Sequence, residues 1–251
     1  FMNERTNIFT QPGLIPASYG VASANVPRAN LGIMKNKGYE MSLGWTQSTD
    51  KFSYNVLGQM SYAKNKIVYN AEAPNPYPWM NTAGYSVGQY KGYISDGFYN
   101  TQEELNNRPN LTYNGNKAAL GDIRYKDING DGLINQEDMV PIGYSNLAQI
   151  DFSLKLGASY KNFDLNVLFI GKAKGSFNLN NGMNRPFVKN AGNAFDWQYD
   201  GRWTPDKVAN GEKITFPRAT IDGSPSYVNN YGVNSDFWLV SNAFKKLKNI
   251  K

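Results

Sequence analysis

The amino-acid sequence predicts an all-β fold, a partial antiparallel transmembrane β-barrel with long extracellular loops. Three observations support this prediction: apolar and polar residues alternate over long stretches, aromatic residues and glycine are abundant, and short turns alternate with long connections. Alternation with a period of two indicates strands that have one apolar and one polar face. Aromatic residues make up 14% of the 251 residues and favour strands, while the 24 glycines favour turns.

The alternation is clearest in four stretches, each close to the ~9 to 11 residues that a tilted strand needs to cross a bilayer. They are residues 39–47, 52–63, 149–160 and 163–169. The apolar side chains that we expect on one common face, in contact with lipid, are Met41, Leu43, Val56, Leu154, Leu156, Leu165 and Val167. Strand-like residues at 3–9 and 244–251 bring the expected total to about six strands, too few to close a barrel.

The connections between these strands differ greatly in length. Tight polar turns are expected at 48–51 and 161–162, whereas the connections 65–146 and 174–236 are long. Connections of that length without secondary structure are uncommon in compact soluble domains. Outer-membrane barrels, by contrast, combine short periplasmic turns with long extracellular loops. We therefore expect 65–146 and 174–236 to be extracellular loops.

A soluble β-sandwich also produces alternating strands, because one face of each sheet lies in the core. The position of the aromatic residues favours the membrane alternative. They stand near the strand ends, where tilted strands meet the two lipid-water interfaces. These residues are Tyr39, Trp45, Phe52, Tyr62, Tyr160 and Phe163.

Composition excludes several kinds of chemistry. The chain has no cysteine and no histidine, so thiolate or imidazole metal sites and nucleophile pairs that use histidine are unavailable. We therefore expect no enzymatic activity. The net charge is +6, but lysine and arginine are scattered, and the one close group of three lies at 245–248, which argues against nucleic-acid binding. The sequence contains no run of about 18 apolar residues and therefore predicts no membrane-spanning helix.

Local patterns within the long connections indicate further structure. Residues 101–104 have the form of a capping box and predict a short helix. Three prolines within 73–80 predict irregular backbone there.

Residues 127–138 resemble a calcium-binding loop. Oxygen-bearing side chains stand at positions one, three, five, nine and twelve, a glycine stands at position six, and the position-seven residue offers its carbonyl. The candidate calcium ligands are Asp127, Asn129, Asp131, Leu133, Asn135 and Asp138. The alternative is a turn that binds nothing, because Asp, Asn and Gly also favour turns.

Aromatic residues in the long connections are weaker candidates for substrate contacts, since they can stack on ligands or simply pack the loops together. The candidates are Trp79, Tyr90, Trp197 and Trp203.

An ordered set of short segments resembles the SusC/RagA family of TonB-dependent outer-membrane transporters. The segments occur along nearly the whole chain, which makes the set more specific than any one of them. They are NKGYEMSL at 36–43, FSY at 52–54, YAKNK at 62–66, GQY at 88–90, DG at 96–97, GDIRYKD at 121–127, IG at 142–143, YKNFD at 160–164, RWTP at 202–205, DFW at 236–238 and LKNI at 247–250.

The resemblance implies a transporter in the cell outer membrane of a Gram-negative bacterium. It implies a 22-stranded barrel of which residues 1–251 are a C-terminal fragment, without signal, plug and closing strands. It further implies a SusD-like lipoprotein partner, energy from the TonB complex through the missing N-terminal part, and oligosaccharide or peptide substrates. The alternative is a soluble or surface-exposed β-rich carbohydrate-binding module with a structural calcium ion, which would stay monodisperse without detergent.

Overall fold

The computed structural model describes residues 1–10, 29–180, 184–190 and 192–251. They form two compact units. The sheet unit contains the described residues of 1–90, 143–177 and 241–251, and the loop unit contains those of 91–142 and 178–240. Among the described residues, no helix has the length and apolar character needed to cross a membrane.

The described strands are, in chain order, β1 Met2–Thr10, β2 Ala29–Ser48, β3 Phe52–Tyr69, β4 Gln89–Gly92, β5 Ser95–Phe98, β6 Asn110–Leu111, β7 Ile123–Tyr125, β8 Leu133–Ile134, β9 Val140–Ser145, β10 Ile150–Tyr160, β11 Phe163–Ala173, β12 Ser176–Asn178, β13 Leu239–Ser241 and β14 Phe244–Ile250. The described α-helices are α1 Gln102–Asn106, α2 Asp196–Gly201, α3 Pro205–Ala209 and α4 Pro225–Tyr227. A π-helical turn, Val228–Gly232, follows α4, and 3₁₀ turns occupy Pro78–Met80, Thr112–Asn114, Gln136–Asp138, Val188–Asn190 and Asp236–Trp238.

The sheet unit is built on one open six-stranded sheet with the order β1-β2-β3-β10-β11-β14. All five pairings are antiparallel, and the prediction of about six strands is confirmed. β2 and β3 have 20 and 18 residues and are longer than predicted. The reason is that Lys35, Lys37, Lys64 and Lys66 stand on the face that is apolar further along the two strands, while Asn36 and Asn65 stand on the other face. Backbone pairing continues there while the alternation that reveals a strand is lost.

Strand register places the seven predicted apolar side chains on one face, as expected. Leu156 of β10 lies opposite Val56 of β3 on one side and Val167 of β11 on the other. The same register aligns Leu43 and Leu154 across Gly58, since both pair with it. Many apolar side chains on this face are exposed: Leu43 to 75%, Met41 to 59%, Leu165 to 50% and Leu154 to 37%.

The two long connections carry short strands and helices and bury a core of their own in the loop unit. β5 pairs with β7, and β6 pairs with β8. One buried cluster consists of Tyr93, Leu111, Ile123, Tyr125 and Ile134, and a second consists of Phe216, Tyr227, Tyr231 and Trp238. Helix α1 begins at the predicted capping box, in which the Thr101 hydroxyl accepts from the amide of Glu104. The segment 73–80 is irregular, as expected, apart from one 3₁₀ turn.

A buried carboxylate, Asp122, lies at the centre of a polar network in the loop unit. Its side chain is 0% exposed. Oδ2 accepts from the amide of Ala119 and the hydroxyl of Ser226, both at 2.8 Å. Oδ1 accepts from Asn230 Nδ2 at 3.1 Å and lies 3.5 Å from Nε of Arg218. Asp122 therefore receives donors from several separate segments of the chain.

The π-helical turn extends this network. Both Asn229 and Asn230 are 0% exposed. The Asn230 side chain accepts from the Ile123 amide, and Asn229 donates to the Ile123 carbonyl, both at 2.9 Å. The Tyr125 hydroxyl donates to the Asn229 carbonyl at 2.8 Å. The two asparagines thus form hydrogen bonds with the amide and the carbonyl of Ile123 in β7, which in a wider sheet would pair with a neighbouring strand.

Replacing Asp122 by asparagine should loosen this network. All the polar groups around the carboxylate are donors, so an amide nitrogen placed there leaves at least one buried donor unsatisfied, at a cost of about 1 to 3 kcal/mol. Hydrogen exchange in the intact protein should accelerate at the amides of Ala119 and Ile123. The exposed Asp206→Asn variant is the matched control, and equal protection in the two variants would contradict the role of Asp122.

The same residue should make local stability depend on pH. Burial raises the pKa of the Asp122 carboxyl, and the hydrogen bonds from Ser226 and the Ala119 amide oppose this only in part. The folded state then binds the proton more tightly than the unfolded state. The contribution of Asp122 to the free energy of unfolding is complete below the pKa of the unfolded state. It is lost as pH rises through the pKa of the folded state. Asp122→Asn should remove this decline, measured as the pH dependence of Ile123 protection.

Candidate functional sites

The polar face of the six-stranded sheet contains an open groove of about 590 Å³. Its polar lining comes from four adjacent strands: Glu40, Ser42, Gln59, Ser61, Asp151, Ser153 and Lys172. Lys172 and Asp151 are cross-strand partners and form an ion pair of 3.0 Å, with both side chains 52% exposed. Ser153 donates to Gln59 Oε1 at 3.3 Å. The groove offers hydrogen-bond donors and acceptors and side chains of both charge signs on one face of the sheet.

The segment 127–138 forms a tight loop in the loop unit whose side chains bind its own backbone. The two oxygens of Asp127 accept from the amides of Gly130 at 2.7 Å and Gly132 at 2.8 Å. Both glycines have positive φ, +76° and +80°, a conformation that favours glycine at these two places. Asp131 Oδ1 accepts from the Leu133 amide at 2.8 Å. The sequence pattern therefore produces the sharp turn that a calcium loop requires.

The last candidate ligand, Asp138, closes this loop. Its side chain is 0% exposed. Oδ1 accepts from the Ile128 amide at 2.8 Å and Oδ2 from the Asn135 amide at 2.9 Å. Asn135 in turn caps the 3₁₀ turn through the Glu137 amide. Within the described ranges, no group of three or more carboxylates is gathered as a metal site. The oxygen atoms of these side chains are of the kind that calcium binds. In this structure the carboxylates accept hydrogen bonds from backbone amides of the loop.

The four candidate aromatic residues lie in different surroundings. In the sheet unit, Trp79 is half-buried and stacks on Tyr77 at 4.6 Å between ring centroids, and Tyr90 is also half-buried. In the loop unit, Trp197 is 51% exposed. Trp203 is 8% exposed and donates from Nε1 to Asn100. Packing accounts for Trp203, whereas Trp197 is half exposed and its ring also contacts the buried Phe216 edge-on at 5.4 Å.

Sequence reasoning missed one feature of the loop unit and identified the residues of a second without its geometry. The first is the network around Asp122, whose signal was the paired asparagines at 229–230 within an aromatic segment. The second is an exposed aromatic group on and beside α2. The Phe195 and Trp197 rings stack at 6.3 Å, and the Arg202 guanidinium lies 3.6 Å from the Tyr199 ring centroid. Its signal was the density of aromatic residues in 195–203.

Comparison with known proteins gives two sequence relatives. No family model matches the sequence. The TonB-dependent receptor P26 of Formosa agariphila is 30% identical over 241 residues, which are 88% of this chain and 22% of that receptor. The TonB-dependent receptor P3 of the same organism is 28% identical over 179 residues, which are 64% of this chain and 17% of that receptor. The chain thus spans about a fifth of the length of these curated relatives.

Solved structures share the fold along almost the entire chain. The RagAB peptide importer in its open-open state has a TM-score of 0.66 at 18% identity, covering 99% of this chain and 25% of that one. The closed-closed state has a TM-score of 0.61 at 16% identity, with the same coverage. These proteins and the sequence relatives are receptors and importers, not enzymes, in agreement with the expectation from composition. Sequence and fold together bear out the resemblance to transporters of the SusC/RagA type, and the chain belongs to the TonB-dependent receptor family.

Proposed function

We propose that this chain forms part of a TonB-dependent importer for oligosaccharides or peptides in the outer membrane of a Gram-negative bacterium. The observation that carries this proposal is the six-stranded sheet with an exposed apolar face and a polar opposite face. Phe163 is 79% exposed, Leu43 75% and Trp45 62%. Soluble monomers rarely expose a contiguous apolar patch of this extent, which marks contact with lipid or protein.

The sheet also meets the backbone requirement of a membrane. Lipid offers no hydrogen-bond partners, so a spanning strand must pair along its whole length. β10 is paired residue for residue with β3 on one side and with β11 on the other. β1 and β14 are the edges of the sheet, and in a 22-stranded barrel they would pair with strands from other parts of the receptor.

On this proposal the polar face lines the passage for the substrate. Glu40, Asp151 and Lys172 beside the groove provide charges of both signs, and Ser42, Gln59 and Ser153 provide neutral hydrogen-bonding groups. Oligosaccharides and peptides both present many hydrogen-bond donors and acceptors. The RagAB importer named for peptide transport shares the fold, which supports the peptide alternative by analogy.

We place the segments 65–146 and 174–236 on the extracellular side, where a SusD-like lipoprotein would cover them. The exposed ring of Trp197 and the Tyr77–Trp79 stack are the aromatic surfaces suited to stack on a sugar or a peptide side chain. TonB would act through parts of the receptor outside this chain.

The segment 127–138 would hold a calcium ion with a structural task. The proposed ligands are Asp127, Asn129, Asp131, the Leu133 carbonyl, Asn135 and Asp138. Oxygen donors at these spacings suit calcium, and the turn glycines Gly130 and Gly132 already have the conformation that the pattern requires. The ion would relieve repulsion between carboxylates within one short loop.

A charge on the apolar face should block assembly in the membrane. We expect Leu154→Arg in the full receptor to cost about 2 to 4 kcal/mol near the bilayer midplane, whereas Ser153→Arg, one residue away on the polar face, should be milder. The measurement is heat-modifiable folding into lipid vesicles, followed by uptake of labelled oligopeptides and oligosaccharides in cells that lack the native gene.

Equal folding of the Leu154→Arg and Ser153→Arg receptors would contradict the membrane assignment. Normal folding with no uptake of either substrate class would contradict the importer assignment alone. A receptor segment that stays monodisperse and unfolds cooperatively without detergent would favour the soluble carbohydrate-binding module.

Calcium should bind the chelator-treated receptor with weak affinity, on the order of 10⁻⁴ to 10⁻³ M as in extracellular modules. Calorimetric titration of the Asp127→Ala, Asp131→Ala double variant should give no binding heat. The control is the Asp200→Ala, Asp206→Ala double variant, which removes two exposed carboxylates of the same unit. Heats that do not differ between the two double variants would show that 127–138 is a turn without a metal.

A further inference from the structure

Four lysines of the sheet unit form a basic cluster on the same face as the exposed apolar residues. They are Lys35 and Lys37 of β2 with Lys64 and Lys66 of β3. Lys37 lies directly opposite Lys64, and Lys35 lies directly opposite Lys66. Strand parity puts them in line with Tyr39 and Met41, because side chains two residues apart share a face.

This arrangement costs the fold free energy. Like charges directly opposite each other on neighbouring strands are destabilising, and here two such pairs lie side by side. One carboxylate offsets them in part: Glu4 of β1 forms an ion pair of 2.6 Å with Lys35. In the part of the chain that the structure describes, the other three lysines have no carboxylate within 4 Å. The cluster therefore has a net positive charge of three in the absence of a ligand.

The surroundings of the cluster are amphipathic. The cluster lines a cavity of about 1050 Å³ together with Tyr39, Tyr62, Val68 and Met2. The rings of Tyr39 and Tyr62 lie 5.3 Å apart, and Nζ of Lys174 lies 5.4 Å from the Tyr62 centroid. Along β2 the order on this face is apolar at Met41, aromatic at Tyr39 and basic at Lys37. The same order of side chains is found at a membrane interface, where apolar residues lie in the hydrocarbon, aromatic residues at its boundary and basic residues among the headgroups.

We propose that the lysine cluster binds the phosphate-bearing headgroup of an anionic lipid, whose acyl chains continue along the apolar face beside Tyr39 and Met41. Lysine ammonium groups bind phosphate oxygens as point charges, and a phosphate between the two lysine pairs would remove the repulsion that the register imposes. Charge complementarity and the adjoining apolar face argue for a lipid over a soluble anion, which would gain nothing from the Tyr and Met side chains. The proposal rests on the membrane location given under the proposed function.

The test uses the full receptor in bilayers of phosphatidylcholine that contain spin-labelled phosphatidylglycerol, with spin-labelled phosphatidylcholine as the reference lipid. Wild-type receptor should retain the anionic lipid preferentially. Lys37→Gln with Lys64→Gln should lower the relative association constant about fivefold for each lysine removed. Lys37→Arg with Lys64→Arg should preserve the selectivity, and added salt should weaken it.

The matched control removes two exposed lysines from the polar face of the same sheet, by Lys155→Gln with Lys246→Gln. An equal loss of selectivity in this control, or no loss in the cluster variant, overturns the proposal. Displacement of the labelled lipid by inorganic phosphate at equal concentration would assign the cluster to a free anion and also overturn it. Failure of wild-type receptor to insert into pure phosphatidylcholine would overturn the proposed function itself, a result distinct from insertion without lipid selectivity.

Discussion

The strand register through β10 is the constraint on which the sheet depends. Eleven consecutive residues of β10 pair without a shift with β3 on one side and with β11 on the other. A slip of one residue would move Asp151 and Lys155 to the apolar face and the leucines to the polar face. One lysine on a lipid face costs roughly 2 to 4 kcal/mol near the midplane, whereas an exposed ion pair such as Lys172–Asp151 contributes about 0 to 1 kcal/mol. The need to keep charged side chains off the apolar face therefore determines the register, and the ion pair is a consequence of that register.

The loop unit is stabilised in a different way. Its strands are two to four residues long, so sheet pairing leaves many backbone groups for side chains to satisfy. Asn229 and Asn230 take this task for β7, and Asp122 gathers donors from the segments around it. The aromatic cluster of Phe216, Tyr231 and Trp238 excludes water from the same region, and Trp238 donates to the Asn230 carbonyl. The hydrogen bonds of the buried polar groups and the packing of the aromatic side chains thus depend on the same few residues.

The parts of this structure that sequence could predict are those with a repeating local signal. Alternation located β10 and β11 and assigned their faces, and the capping box located α1. The extensions of β2 and β3 escaped prediction because pairing with β1 and between β2 and β3, not a regular alternation of side chains, keeps 29–38 extended. The network around Asp122 escaped because its partners are about 100 positions away in sequence. In the calcium-like loop the turn geometry followed from glycine and Asx chemistry, whereas ion binding depends on how the carboxylates converge, which spacing does not specify.

The same register explains why four lysines of β2 and β3 face one another beyond the apolar segment of these strands. β2 has 20 residues, about twice the ~9 to 11 that a tilted strand needs to cross the hydrocarbon. If the apolar residues from Met41 onward lie in lipid, the tyrosine pair at Tyr39 and Tyr62 marks the interface and the lysine pairs lie beyond it. The register set by the apolar residues continues without a shift through both lysine pairs, and the first shift between β2 and β3 comes only beyond them, at Ile33 and Met34. A sequence that keeps such a local conflict within a well-paired sheet is typical of a place where a ligand supplies the missing charge.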